Sequence, residues 1–206
     1  MKGLLKKDLY MAWAYCKVYL LLALVFLVFS FLASDNLFFM VYPMVIVSML
    51  PVNMVSYDEK FKWTVYCDAL PVSRKQVVSE KYLLSLLASG AVLLLMGGIR
   101  GTALLLQGQP AAFWNLLTIL LVFGLVSPAV ILPFILRLGP EKGRLVYYVI
   151  IAIFCAACII LMNRPLVTWT GFGSRPLDTL LVLLLSALIF VGSRLLAIRL
   201  YQKREL

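Results

Sequence analysis

The chain has 206 residues, 64% of them hydrophobic and 14% charged, against about 25% charged in a typical soluble domain. Its mean hydropathy of +1.01 excludes an ordinary soluble fold. Its net charge of +10 is carried by short basic segments between apolar blocks, which points to membrane topology and excludes nucleic acid as the partner.

The first seventeen residues, MKGLLKKDLYMAWAYCK, place Leu5, Leu9, Ala12 and Trp13 at helical spacing, with Lys2, Lys6, Lys7 and Asp8 supplying a charged side. This predicts an interfacial helix over 3–16, anchored at headgroup level by Tyr10, Trp13 and Tyr15. The apolar block that follows has no A-x-A-like cleavage site and reads as a retained first span, not a signal peptide.

Charge-free stretches then occupy 18–34, 36–57, 82–99, 101–136 and 145–163, and a further apolar block runs over 179–193. A helix rises 1.5 Å per residue, so about 20 residues cross a hydrocarbon layer of roughly 30 Å. The expected spans are 18–34, 37–56, 82–99, 111–136, 145–163 and 177–197. Ser34-Asp35-Asn36 makes a tight turn between the first two. Pro51 with Asn53 interrupts the second near its inner end.

Residues 56–82 hold 9 of the 28 charged residues. Ser56 and Glu59 are spaced as a capping box that would start a short helix over 57–69, ended by Leu70-Pro71. Phe61, Thr64, Val65 and Asp68 would share one face. Ser73 and Gln76 form a second capping box, opening a helix that runs through Lys81 into span three. The segment 57–81 therefore reads as a stiff elbow with Leu70-Pro71-Val72 at its tip.

Further on, Gln107-Gly108-Gln109-Pro110 makes a turn, with Pro110 opening span four. Ser127-Pro128 and Pro133 are expected to kink that span. Cys155 and Cys158 have CxxC spacing inside an apolar helix, and the chain has no histidine; they read as small buried residues. Cys16 and Cys67 are expected on the inner side. An outer loop over 163–177 contains Trp169 and Phe172, which suit surface anchoring. Arg194, near the inner end of span six, is placed to snorkel.

With the N-terminus inside, the inner segments hold 16 of the 19 basic residues, and Arg100, Arg164 and Arg175 fall outside. Both termini are therefore expected to be cytoplasmic. The fold expected is an all-α membrane protein, one domain of six transmembrane helices with its elbow between spans two and three.

At this elbow the sequence acquires a likeness. DEKFKW at 58–63, followed by ALPVSRKQVVSEKYL at 69–83, resembles the signature of small six-helix permeases in the ABC-2 class of ATP-binding-cassette exporters. The opening MKGLLKKDLY is similar to theirs, and 139–144, GPEKGR, resembles their short G-x-E-K-x-R element, with Gly143 where alanine is more usual. The resemblance implies a subunit of an ATP-driven exporter in a bacterial plasma membrane, paired with a second permease, identical or homologous, and two copies of a separate ATPase.

It further implies that the elbow is a coupling helix seated in the ATPase. Asp58, Glu59, Lys60 and Trp63 would lie in its first helix, Leu70, Pro71, Ser73 and Arg74 at the turn, and Lys81 at the return to the membrane. Gly139, Glu141, Lys142 and Arg144 would form the second cytoplasmic loop. The cargo implied is amphipathic, such as a peptide or a lipid.

The chain has no GxxxxGK[ST] loop, so ATP and magnesium are expected in the partner, with no cofactor here. The spans hold almost no charge, which argues against proton-coupled transport. A non-transporting structural or immunity-type protein would also suit a docking elbow. A membrane enzyme acting on lipids would need paired acid/base groups, metal ligands or a nucleophile, for which the spans offer no pattern.

Overall fold

The computed structural model describes residues 2–32, 37–68, 73–139, 141–143, 145–146, 148–149 and 175–202. Among them every regular element is helical. Three stretches are each long and apolar enough to cross a bilayer: Arg74–Leu106 (α6), Pro110–Leu138, and Pro176–Gln202 (α9). These coincide with the third, fourth and sixth expected spans.

Of the first two expected spans, the first is carried by a single helix that follows a sharp bend, and the second is broken. Helix α1 (Lys2–Tyr15) joins α2 (Lys17–Leu32) at Cys16, where the axis bends by 75°. Backbone bonding persists through the bend, from Cys16 N to Ala12 O and from Leu20 N to Cys16 O, both 3.0 Å. Helix α3 (Leu37–Ser48) packs on α2, with Phe26 and Tyr42 rings 4.4 Å apart. Met49 then separates α3 from α4 (Leu50–Lys60). The cause is Pro51, which has no N–H to offer the carbonyl one turn earlier. The turn 33–36, most of the fifth expected span with Cys155 and Cys158, and the outer loop as far as 174 lie outside the described residues.

The expected capping box at Ser56 does not form. Helix α4 passes through Ser56 without a break, and the Ser56 hydroxyl donates to the Val52 carbonyl at 3.1 Å. Tertiary packing decides this. Val52 and Val55 are buried in one core with Val78, Ile131, Leu132 and Ile135, and a cap at Ser56 would unwind the turn that holds them. The helix ends about one turn later instead, at Lys60. Lys62 takes a left-handed conformation (φ 52°), uncommon for a residue with a side chain, and α5 (Trp63–Asp68) follows.

The second capping box is present. Ser73 is extended (φ −77°, ψ 145°), its Oγ accepts from Gln76 N at 3.4 Å, and Ser73 N donates to Gln76 Oε1 at 3.1 Å. From there α6 runs 33 residues without interruption, about 50 Å at 1.5 Å per residue. Its charge-free part, 82–99, is about 27 Å long, which places 74–81 ahead of the apolar span. It packs against α1, α3, α4, α9 and both halves of the next hairpin arm.

Gly108, at φ +71°, supplies the turn after α6, and Pro110 opens α7 (Pro110–Leu121). The expected kink at Ser127-Pro128 appears as a π turn over Val122–Val126, passing into α8 (Ser127–Leu138). A π turn shifts the hydrogen-bond register, which absorbs the donor missing at Pro128. Gly139, at φ +83°, ends α8 in a backbone region that favours glycine.

Candidate functional site

Helices α1, α4, α5 and the start of α6 converge with the ends of α8 and α9 at one end of the bundle. Leu4 of α1, Cys67 and Trp63 of α5 and Val77 of α6 form a small apolar cluster there. The inward face of α5 is thus Trp63 and Cys67, four residues apart, whereas Phe61 and Tyr66 are exposed. Cys16 and Cys67 are both buried free thiols.

Beside this cluster lies a closed ring of ion pairs. Asp58 accepts from Lys7 through Oδ1 and from Lys81 through Oδ2, each at 2.7 Å. Asp8 meets the same two lysines, Lys81 at 2.5 Å and Lys7 at 3.1 Å. Asp8, Asp58 and Lys81 are 0%, 4% and 2% exposed. The Lys7 ammonium also sits 4.2 Å above the Trp63 ring, an attraction between cation and ring quadrupole.

Burial by itself favours the neutral amine of Lys81. The Asp58 and Asp8 carboxylates more than offset it and hold the ammonium above its usual range. Single removal of either partner from such a pair strands a buried charge.

The next residue, Tyr82, fixes α6 on its other side. Tyr82 Oη and Ser193 Oγ are 2.7 Å apart, and Ser193 donates to the Ala129 carbonyl of α8, so Tyr82 is the donor to Ser193. Arg194 donates to Ser79 Oγ at 2.9 Å; it is tied to α6, not left to snorkel. The first turns of α6 are therefore gripped by α1, α4, α8 and α9 together.

The expected site residues divide into two groups. Asp58, Trp63 and Lys81 come together in the base of the elbow. Glu59 lines, with these three and Tyr201, a cavity of about 20 Å³. Lys60 is exposed at the end of α4, Ser73 is an exposed cap, and Arg74 is half-buried. Glu141 and Lys142 are exposed and apart from the ring, and Gly139 serves as the α8 terminator. Leu70, Pro71 and Arg144 lie outside the described residues.

Lys7, Asp8 and Glu80 belong to the site and are not among the residues expected there. The sequence pattern places Asp8 with Lys2, Lys6 and Lys7 on the charged side of α1. In fact Leu4 and Asp8, four apart, are the residues α1 buries among its described side chains, and Cys16 at the bend continues that spacing. That spacing, with one acid among Lys2, Lys6 and Lys7, was the available signal.

A family profile described as ABC-2 family transporter protein matches residues 3–202. The chain belongs to the ABC-2 transporter family. As an ABC-2 protein it is a multi-pass transmembrane transporter subunit, and the charged convergence of helices lies within the matched region. No curated protein and no solved structure matches this ABC-2 chain.

Proposed function

We propose that this subunit is the transmembrane half of an ATP-driven exporter, and that its charged end is the cytoplasmic end, gripped by a separate ATPase through the elbow at 57–81. The observation that carries this reading is mechanical. The elbow rests on a base locked by the Lys7–Asp58–Lys81–Asp8 ring, and its second arm continues as one uninterrupted helix to Leu106. A displacement applied near Ser73 reaches the far side of the bundle because nothing between is free to fold away.

The elbow residues take different parts in this reading. Asp58, Trp63 and Lys81 stiffen the base. Lys60, Ser73 and Arg74, with Leu70 and Pro71, form the surface presented to the ATPase, joined by exposed Phe61 and Tyr66. ATP and magnesium belong to the partner, two copies of which serve two permease subunits. The bias of basic residues supports both termini lying on the ATPase side, in this reading the inner face of a bacterial plasma membrane. A cavity of about 200 Å³ among α3, α6, α7 and the π turn, walled by Met44, Leu86, Leu93 and Leu120, supports an amphipathic cargo such as a peptide or a lipid.

The test is copurification with the ATPase, followed by hydrolysis measurements on Pro71→Ala and Arg74→Ala. Both are expected to accumulate normally while losing the stimulation of hydrolysis by cargo. Unaltered stimulation in both would overturn the docking role.

A further inference from the structure

A fifth ionisable group stands against the ring. Glu80 of α6 is 3% exposed, and neither of its carboxylate oxygens meets a donor. It lies ahead of the apolar span that begins at residue 82. Its neighbour is the Asp8 carboxylate, which accepts hydrogen bonds and cannot supply one.

The lysines are already committed. Each bridges Asp8 and Asp58, so the four-membered ring is electroneutral without Glu80. With every group ionised the site would bury three carboxylates against two ammonium groups. An uncompensated charge of that kind is far costlier than a neutral acid.

We propose that Glu80 and Asp8 share one proton, making this cluster a proton-binding latch that holds α1 against α4 and α6 and loosens when that proton is lost. The bound proton turns Glu80 into the missing donor, with its O–H given to Asp8. On release the proton passes to water and the site acquires one negative charge. The cavity of about 20 Å³ beside Asp58, Glu59, Lys81 and Tyr201 is large enough for one water molecule.

All the charges around Glu80 enter the balance. Burial, then the charge of Asp8, push its carboxyl up to about 7, against the pull of Lys81 and Lys7. Asp58 of α4 acts through the lysines it bridges, and Arg194 of α9 is spent on Ser79. A folded-state value above the unfolded one means the native state binds the extra proton. Stability is then fully present below about pH 4.5, falls as pH climbs towards 7, and levels off beyond.

The test uses the full chain in lipid nanodiscs and reads the proton directly. Infrared spectra are recorded across about pH 5 to pH 9 on protein carrying ¹³C-labelled glutamate side chains; the chain has four glutamates. A protonated glutamate carbonyl band is expected at acid pH, lost with a midpoint near 7. Glu80→Gln should abolish the band and remove the fall in melting temperature that the parent shows over the same range. Asp8→Asn frees the lysines for Glu80 and should move the midpoint to lower pH.

Absence of the band at acid pH, its persistence in Glu80→Gln, or parallel melting profiles of parent and Glu80→Gln would overturn the proposal. The labelled parent needs no variant to fold. No readout involves ATP or transport, so failure of the exporter reading leaves the result intact.

Discussion

Lys81 Nζ lies 2.5 Å from Asp8 Oδ2, across a sequence separation of 73 residues. This pair, with Asp58 on the other side of the same ammonium, binds the first helix of the chain to the foot of its longest one. Replacing Lys81 by Met keeps the volume but leaves two buried carboxylates sharing the single Lys7 ammonium. A loss of about 3–5 kcal/mol is expected, read as a fall in unfolding midpoint in detergent. Lys81→Met combined with Asp58→Asn should recover part of it, and a strictly additive pair would refute the ring.

The close approach of Gly143 to α8 supplies a second test. A Cβ built on Gly143 would stand 2.7 Å from Ile135 Cα and 2.5 Å from Ile135 Cγ1. Backbone cannot yield as a flexible side chain does, so Gly143→Ala should cost about 1–3 kcal/mol. Gly98→Ala is the control: its Cβ meets nothing within 4 Å, and alanine in a helix should gain up to about 1 kcal/mol.

Two serines that looked alike in sequence should behave differently. Ser73→Ala removes a cap from Gln76 N and should cost about 1 kcal/mol. Ser56→Ala removes only a bond to the Val52 carbonyl within a continuous helix, and should stay within about 0.5 kcal/mol of the parent. Thermal unfolding of both variants in one buffer separates the cases. Equal losses would mean that Ser56 caps a helix after all.

Trp63 holds the Lys7 ammonium from above while Asp58 and Asp8 hold it from the sides. Trp63→Leu keeps an apolar side chain and removes the ring quadrupole, so it should lose about 0.5–2 kcal/mol. In a Lys7→Met background the same substitution should cost measurably less. An undiminished cost there would assign the effect of Trp63 to packing alone.

Local features were legible in the order of residues. The Ser73–Gln76 box, the Gly108–Pro110 turn, the helical class and the three long spans depend on neighbours a few positions apart. Ser56 shows where such reasoning stops. A capping box competes with the burial of Val52 and Val55, and several kcal/mol of apolar packing outweigh a cap worth about one. The π turn before Pro128 is similar: proline announces a defect, but packing selects how the helix absorbs it.

The amino-acid order alone determined that this chain is a helical membrane protein with one densely charged segment at 56–82, because hydropathy and charge are summed over short windows. Which charges are buried and which stay exposed was decided only in three dimensions. Glu80 and Lys7 carry nothing local that marks them, and Asp8 only its spacing from Leu4. Their meaning comes from Asp58 and Lys81, brought beside them when α1 folds onto α4 and α6, since electrostatic energy depends on distance in space and on exclusion of water.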